Sequence, residues 1–342
     1  MNATSAQEPP QQPNAPEPEF KSSQLTRRLA LGIFAGLLVY AGFTLWADVD
    51  AILAALRDFN LWLLPLAMAL SFTNYAVRFV RWERYRTLLG IELERGTSFT
   101  IYLSGLALTV TPGKMGEAMK SWLIRRVTGT PIAVSAPIVV AERFTDLLAF
   151  LMLVAIGGLA TQPDYAWIFW ATLLLCAGLL ACFCSKRIAA LLCRILAKLP
   201  LIGGLAPRVD EAFASTRTLM QPRELIMPTI VSTLGWGLEC LGFWFIADAL
   251  VPGVPLLFAI YAFALSAVAG AVLILFPGGL GVTEGTLVGL LASRYKSLGI
   301  AHELALPRAT SATILIRLCT LWFAVAVGLI AFGHFQRTHR AD

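Results

Sequence analysis

The sequence predicts an all-α polytopic membrane protein: about six full spans plus two re-entrant broken helical hairpins, arranged as an inverted-topology repeat. Three observations predict it. The chain of 342 residues is 57% hydrophobic and only 14% charged, where a soluble domain carries about a quarter charged residues. Its apolar runs end in clusters of arginine and lysine, the mark of cytoplasmic helix ends. A broken-helix motif, Pro-Gly-x-x-Gly with a glutamate behind it, occurs twice inside apolar sequence, as Thr111-Pro112-Gly113-Lys114-Met115-Gly116-Glu117 and Phe276-Pro277-Gly278-Gly279-Leu280-Gly281-Val282-Thr283-Glu284. Lipid tolerates broken backbone only where protein buries it or a cavity borders it. Two such breaks in corresponding halves point to a binding site near the membrane midplane.

The elements follow in order. Residues 1–24 form a Pro-, Gln- and Glu-rich tail expected to be disordered and cytoplasmic. It is not a signal peptide, because the first long apolar run, 29–47, begins only after Arg27-Arg28. That run is the first span. Residues 48–59 are amphipathic and fit the periplasmic interface, and a second span over 61–80 ends among Arg78, Arg81, Arg84 and Arg86. The run 98–110 is too short to cross; it meets the first break, resumes over 115–124 and ends at Arg125-Arg126. Basic residues on both flanks make this a hairpin opening to the cytoplasm. A further span over 131–159 carries Glu142, Arg143 and Asp146.

The second half repeats the plan with opposite orientation. A span over 165–184 returns to Lys186-Arg187, and 186–222 reads as an amphipathic linker on the cytoplasmic surface. A span over 225–250 holds Glu239. The second hairpin, 256–276 and 282–292, opens to the periplasm, and the last span, 309–332, carries Arg317 and ends in a basic tail. The transmembrane domain is thus 25–336, with repeats over about 29–160 and 165–333, both termini cytoplasmic.

Net charge is +6, which fits basic loops and anionic lipid rather than nucleic acid, since no basic domain stands outside the membrane. None of the six cysteines forms a C-x-x-C pair, and the three histidines lack partners at metal spacing. Neither a metal nor a cofactor is expected, and no catalytic constellation is visible.

The candidate binding residues are charged groups in apolar sequence, each costing about 2.5–3.5 kcal/mol or more to hold at the centre of a bilayer helix. Glu117 and Glu284 follow the two breaks; they either line a cavity and bind a cationic head group, a proton or a counter-ion, or only complement the positive end of a half-helix. Pro112, Gly113, Gly116, Pro277, Gly278, Gly279 and Gly281 make the breaks, whose freed amides suit a phosphate oxygen as well as they suit simple hairpin packing. Lys114 lies inside the first break, in reach of Glu117 or a lipid phosphate. Glu142 and Asp146 share one helix face and Arg143 reaches Asp146 at three residues. One cation does not neutralise two carboxylates, so Arg81, Lys120 or a substrate amine should complete the set. Arg78 and Arg81 share a face at the inner end of the second span, where snorkelling is the simpler account and a basic gateway for anionic lipid the sharper one. Arg317 lies deep in its span and should pair with Glu284 or Glu239.

In order along the chain, Arg81-Trp82-Glu83-Arg84, the first break, Glu142-Arg143-Phe144-Thr145-Asp146 and the second break resemble the lysylphosphatidylglycerol synthase transmembrane-region family, also called flippase-like, over about 25–335. The resemblance implies a bacterial inner-membrane protein. In the larger synthases the similar region moves aminoacylated lipid between leaflets, while a separate soluble domain makes that lipid. That domain is not expected in this chain, so synthase activity is not carried over. Other short relatives are linked to hopanoid or polyprenyl-glycan lipids. The expected ligands are therefore membrane lipids of anionic, aminoacylated or polyprenyl/hopanoid type. The resulting expectation is a non-enzymatic lipid translocase. Its alternative is a scaffold that presents lipid to a partner lipid-modifying enzyme.

Overall fold

Backbone in hydrocarbon must close its own hydrogen bonds, and every regular element among the described residues is helical. The computed structural model describes residues 49–57, 59–110, 116–158, 206–272 and 279–339, with isolated helical positions at 34, 38, 42 and between 167 and 181. The expected tail, most of the first and fifth spans, the first part of the linker and the break residues Pro112, Gly113, Lys114, Pro277 and Gly278 lie outside the described residues.

The helices are α1 (Val49–Arg57), α2 (Leu63–Leu88), α3 (Arg95–Ser104, continued by a 3₁₀ turn over Gly105–Leu108), α4 (Gly116–Thr128) and α5 (Ile132–Gly158). They continue with α6 (Ala206–Leu219), α7 (Pro222–Leu250), α8 (Leu256–Val272), α9 (Val282–Ser297), α10 (His302–Arg317) and α11 (Phe323–Thr338). A π turn over Leu318–Trp322 joins the last two, so 302–338 forms one rod.

Among the described residues, three helical stretches are long and apolar enough to cross a membrane: α2, α7 and the α10–α11 rod. Helix α5 has 27 residues, enough to cross, but Glu142, Arg143 and Asp146 interrupt its apolar sequence. Two expected boundaries shift. Helix α2 runs on to Leu88, which places Arg78 and Arg81 inside the helix instead of at its end. The last span starts at His302, not near 309.

Helices α2 and α7 form the central pair and run antiparallel. Ala67 faces Gly242, Asn74 and Arg78 face Gly235, Arg81 meets Ser232, and Arg84 meets Glu224. Ser232, Gly235 and Gly242 lie on the α7 face turned to α2, and their small side chains bring the two backbones close. Around this pair the packing is reciprocal. Helix α5 packs on α8, the first limb of the second hairpin, while α11 packs on α3, the first limb of the first.

Glycine makes both contacts. A Cβ on Gly157 would sit 2.4 Å from the Leu257 carbonyl, and one on Gly328 would sit 2.1 Å from the Ala107 nitrogen. Both obstacles are backbone and do not yield. Gly328→Ala is therefore expected to cost about 1–3 kcal/mol through overpacking. A lower melting temperature of the detergent-purified variant, with Gly333→Ala unchanged as control, checks this; Gly333 has open space around it.

Candidate functional site

Five of the charged residues singled out in the sequence, Arg78, Arg81, Glu142, Arg143 and Asp146, come together with Lys120 where α2, α4, α5 and α7 meet. Asp146 is at the centre. Arg78 Nη2 donates to its Oδ2 at 2.7 Å, Arg81 Nη1 to its Oδ1 at 2.6 Å, and the Trp236 indole N–H to Oδ1 at 3.0 Å. Arg143 approaches Oδ2 at 3.4 Å from the preceding turn of the same helix. Glu142 lies one turn earlier on that face. It is held by Lys120 Nζ and, at 3.5 Å, by Arg81.

Arg78 is 5% exposed and Arg81 0%. Neither snorkels: the continuation of α2 carries them inward, where Asp146 compensates both. The guanidinium of Arg78 lies 4.5 Å from the Trp236 ring, and the Lys120 ammonium 4.8 Å from the Trp82 ring, so aromatic faces share these charges. The cation that the sequence required to balance Glu142 and Asp146 is thus supplied by the protein, from Arg81 and Lys120, with Arg78 as well.

Two of the sequence motifs are explained by these contacts. In 81–84, Arg81 enters the charged centre, and Trp82 donates its indole N–H to Ser98 at 3.0 Å. Glu83 accepts from Arg86 and Ser98, and Arg84 reaches Glu224 at 2.5 Å. In 142–146, the Thr145 hydroxyl accepts from Arg81 at 3.2 Å, between the two carboxylates.

Glu284 and Arg317 form a second group. Arg317 Nε donates to Glu284 Oε1 at 2.6 Å, the first of the two pairings expected. Glu284 Oε2 also accepts from the Gly281 amide at 2.7 Å, closing the first turn of α9. Gly281, at φ +87°, and Gly279, at φ +72°, adopt the left-handed backbone that the break requires. Glu284 thus both caps its half-helix and neutralises a buried cation. Among the described residues, each returning limb is tied to the next helix by a buried pair, with polarity reversed: Lys120 of α4 to Glu142 of α5, Glu284 of α9 to Arg317 of α10. Glu117 lies in the first turn of α4, but its side chain is outside the description, as are Pro112, Gly113, Lys114, Pro277 and Gly278.

Among the described residues, the ion pairs of the two groups share no residue. Glu239 of α7 stands between them, within the electrostatic reach of Arg78 and Arg317, and accepts from Asn74 Nδ2 at 2.6 Å. The sequence marked Glu239 only as a charge in a span and as a pairing option for Arg317. Asn74 and Trp236 gave no signal, because an amide and an indole in an apolar helix read as packing.

Three or more His, Cys, Asp or Glu side chains do not gather at metal-binding geometry among the described residues. Cys240 and Cys319 are buried among apolar neighbours.

Fold and site together define a helical membrane domain with a charged interior. Residues 33–328 match the family described as the lysylphosphatidylglycerol synthase TM region, and the chain belongs to that family. Comparison with curated proteins gives no match.

Proposed function

We propose that this protein binds the polar head group of a membrane lipid in the α2–α4–α5–α7 centre and moves it between leaflets while the acyl tails stay in lipid. The observation that carries the proposal is the charge balance of that centre. Among the described residues, Arg78, Arg81, Lys120 and Arg143 are four cations, against Glu142, Asp146 and Glu239, three carboxylates. A surplus of positive charge inside an apolar bundle favours an anionic group, and phosphate is the anion that membranes supply. The reciprocal packing of α5 on α8 and α11 on α3 supports an inverted repeat, the plan of alternating-access carriers. Arginine-rich helix ends support an inner-membrane orientation with both termini in the cytoplasm. The reading is of a carrier, not an enzyme.

The test is lipid exchange in proteoliposomes, with fluorescent phosphatidylglycerol as probe and a chemical quencher added outside. Wild-type protein is expected to expose the inner-leaflet probe to the quencher. Arg143→Gln is the informative variant. Its side chain is 39% exposed and Asp146 keeps two other cations, so the fold survives the change. Exchange is expected to fall about tenfold, the loss of one charge-assisted contact worth roughly 1.5 kcal/mol. Protein-free rates in wild-type vesicles, for this probe and for aminoacylated or polyprenyl lipids, would sink the carrier reading.

A further inference from the structure

Four carboxylates are buried in the described part of the bundle: Glu142, Asp146, Glu239 and Glu284. Three are clamped by cations, as Lys120–Glu142, Arg78 and Arg81–Asp146, and Arg317–Glu284. A carboxyl in a direct ion pair is fixed in its ionised form. Glu239 differs. It is 4% exposed, sits inside the 29-residue helix α7, and has no cation within ion-pair distance among the described residues. The hydrogen bond it accepts comes from the side-chain amide of Asn74.

An amide is the partner that serves both protonation states. Its N–H donates to a carboxylate; turned by half a rotation, its carbonyl accepts from a carboxylic acid. A guanidinium or ammonium only donates. Asn74 is fully buried, and its Oδ1 has no hydrogen-bond partner, nor does the Ser71 hydroxyl one turn earlier on the same helix. The orphaned acceptor beside Glu239 is the group a proton on that carboxyl would satisfy. The remaining charged and titratable groups that face Glu239 are Tyr75 and Arg78 of α2, Asp146 of α5 and Arg317 of α10, with Cys240 beside it on α7. Helix α8, also packed on α7, contains no charged residue. The π turn that follows Arg317 lies against the same stretch of α2, where the Tyr75 hydroxyl donates to the Thr320 carbonyl at 3.1 Å. Such turns concentrate at functional sites.

We propose that Glu239 is the proton-binding group of this protein, and that its proton and an anionic head group bind together. The second half rests on the reading under Proposed function. The step is an acid–base one. A proton from water adds to a Glu239 carboxylate oxygen, the Asn74 amide turns over, and no other bond changes. Protonation removes one negative charge facing Arg78, so the positive surplus in the centre rises and an anion binds more tightly. By linkage, the anion raises the proton's affinity to the same degree. Release of the head group into the other leaflet then frees the proton.

Two measurements on full-length protein in nanodiscs test this separately. Infrared difference spectroscopy across pH reads the carboxylic-acid carbonyl band directly. One band is expected to titrate in wild type and to be absent from Glu239→Gln. If that variant does not fold, Asn74→Ala keeps the carboxyl, and its band midpoint is expected to shift. Retention of phosphatidylglycerol, read by native mass spectrometry, is expected to strengthen by up to about tenfold per pH unit lowered through that midpoint. In Glu239→Gln it should be tight at every pH. A band that never titrates, or one that persists in Glu239→Gln, overturns the assignment. A titrating band with pH-independent lipid retention overturns the coupling. A titrating band with no lipid held at any pH upholds the proton site and sinks the lipid reading instead.

Discussion

Asp146→Ala is expected to leave little folded protein in the membrane. The carboxylate accepts from Arg78 at 2.7 Å, from Arg81 at 2.6 Å and from the Trp236 indole at 3.0 Å, and all of this is buried. Removing one partner of a buried pair typically costs about 3–5 kcal/mol, because the other charge stays behind uncompensated. Here two guanidiniums lose their strongest partner at once. Arg81 retains Glu142 at 3.5 Å, whereas Arg78 has no other carboxylate within ion-pair distance among the described residues. The cost should therefore fall at the upper end of that range. Asp146→Asn, which keeps the shape and one acceptor oxygen, is expected to fall between the two. Fluorescence-detected size exclusion after heating reads all three proteins. A melting temperature in Asp146→Ala equal to wild type would show that Asp146 is not what holds α2, α5 and α7 together.

The same centre shows what the sequence could and could not convey. The spans that became α2, α7 and the α10–α11 rod, and the placing of Glu142 and Asp146 on one face, were legible, because hydropathy and a spacing of four residues depend only on neighbours along the chain. Arg317 with Glu284 was legible for a different reason. A deep cation in apolar sequence must find a carboxylate, and few are present. What sequence could not give was where helix α2 stops. Its Arg-rich end reads as an interface, so Arg78 and Arg81 were open to a snorkelling account. The helix continues to Leu88 because Trp82 and Tyr85 are buried within the bundle and anchor the next turn. That extra length turns two interfacial arginines into core residues. Asn74 and Trp236 were silent for a related reason: their role comes from one contact made across 165 and 90 residues of chain, which no local pattern encodes.

Charge reversal between the two hairpins adds to this. If the halves share one plan, Lys120–Glu142 and Glu284–Arg317 do the same mechanical work with opposite signs. The first pair stands beside three further cations and belongs to the charged centre. The second shares no ion-paired residue with it among the described residues, and the fields of both groups reach Glu239. Mechanical fastening and ligand binding are therefore easier to separate at Glu284 than at Glu142.

A double-mutant cycle at Glu284 and Arg317 makes that separation. Arg317→Met leaves a buried carboxylate with the Gly281 amide as its remaining donor, and it is expected to cost about 3–5 kcal/mol. Glu284→Gln takes the carboxylate charge from beside the Arg317 guanidinium and is expected to cost a similar amount, although glutamine's carbonyl oxygen still accepts from Gly281 and preserves the cap. The double variant Glu284→Gln/Arg317→Met removes both charges, keeps the cap and refills the space with an apolar chain of similar length. It should recover most of wild-type stability, as replacement of buried pairs by apolar groups generally does. Additive losses in the double variant would mean that the two residues do not act as a pair. With stability restored, phosphatidylglycerol exchange by the double variant assigns the role of the pair. Exchange near the wild-type rate would make it a fastener that holds α9 to α10. Exchange lost in a stable protein would mean that the head group itself, or the hairpin's movement past Arg317, requires the charges.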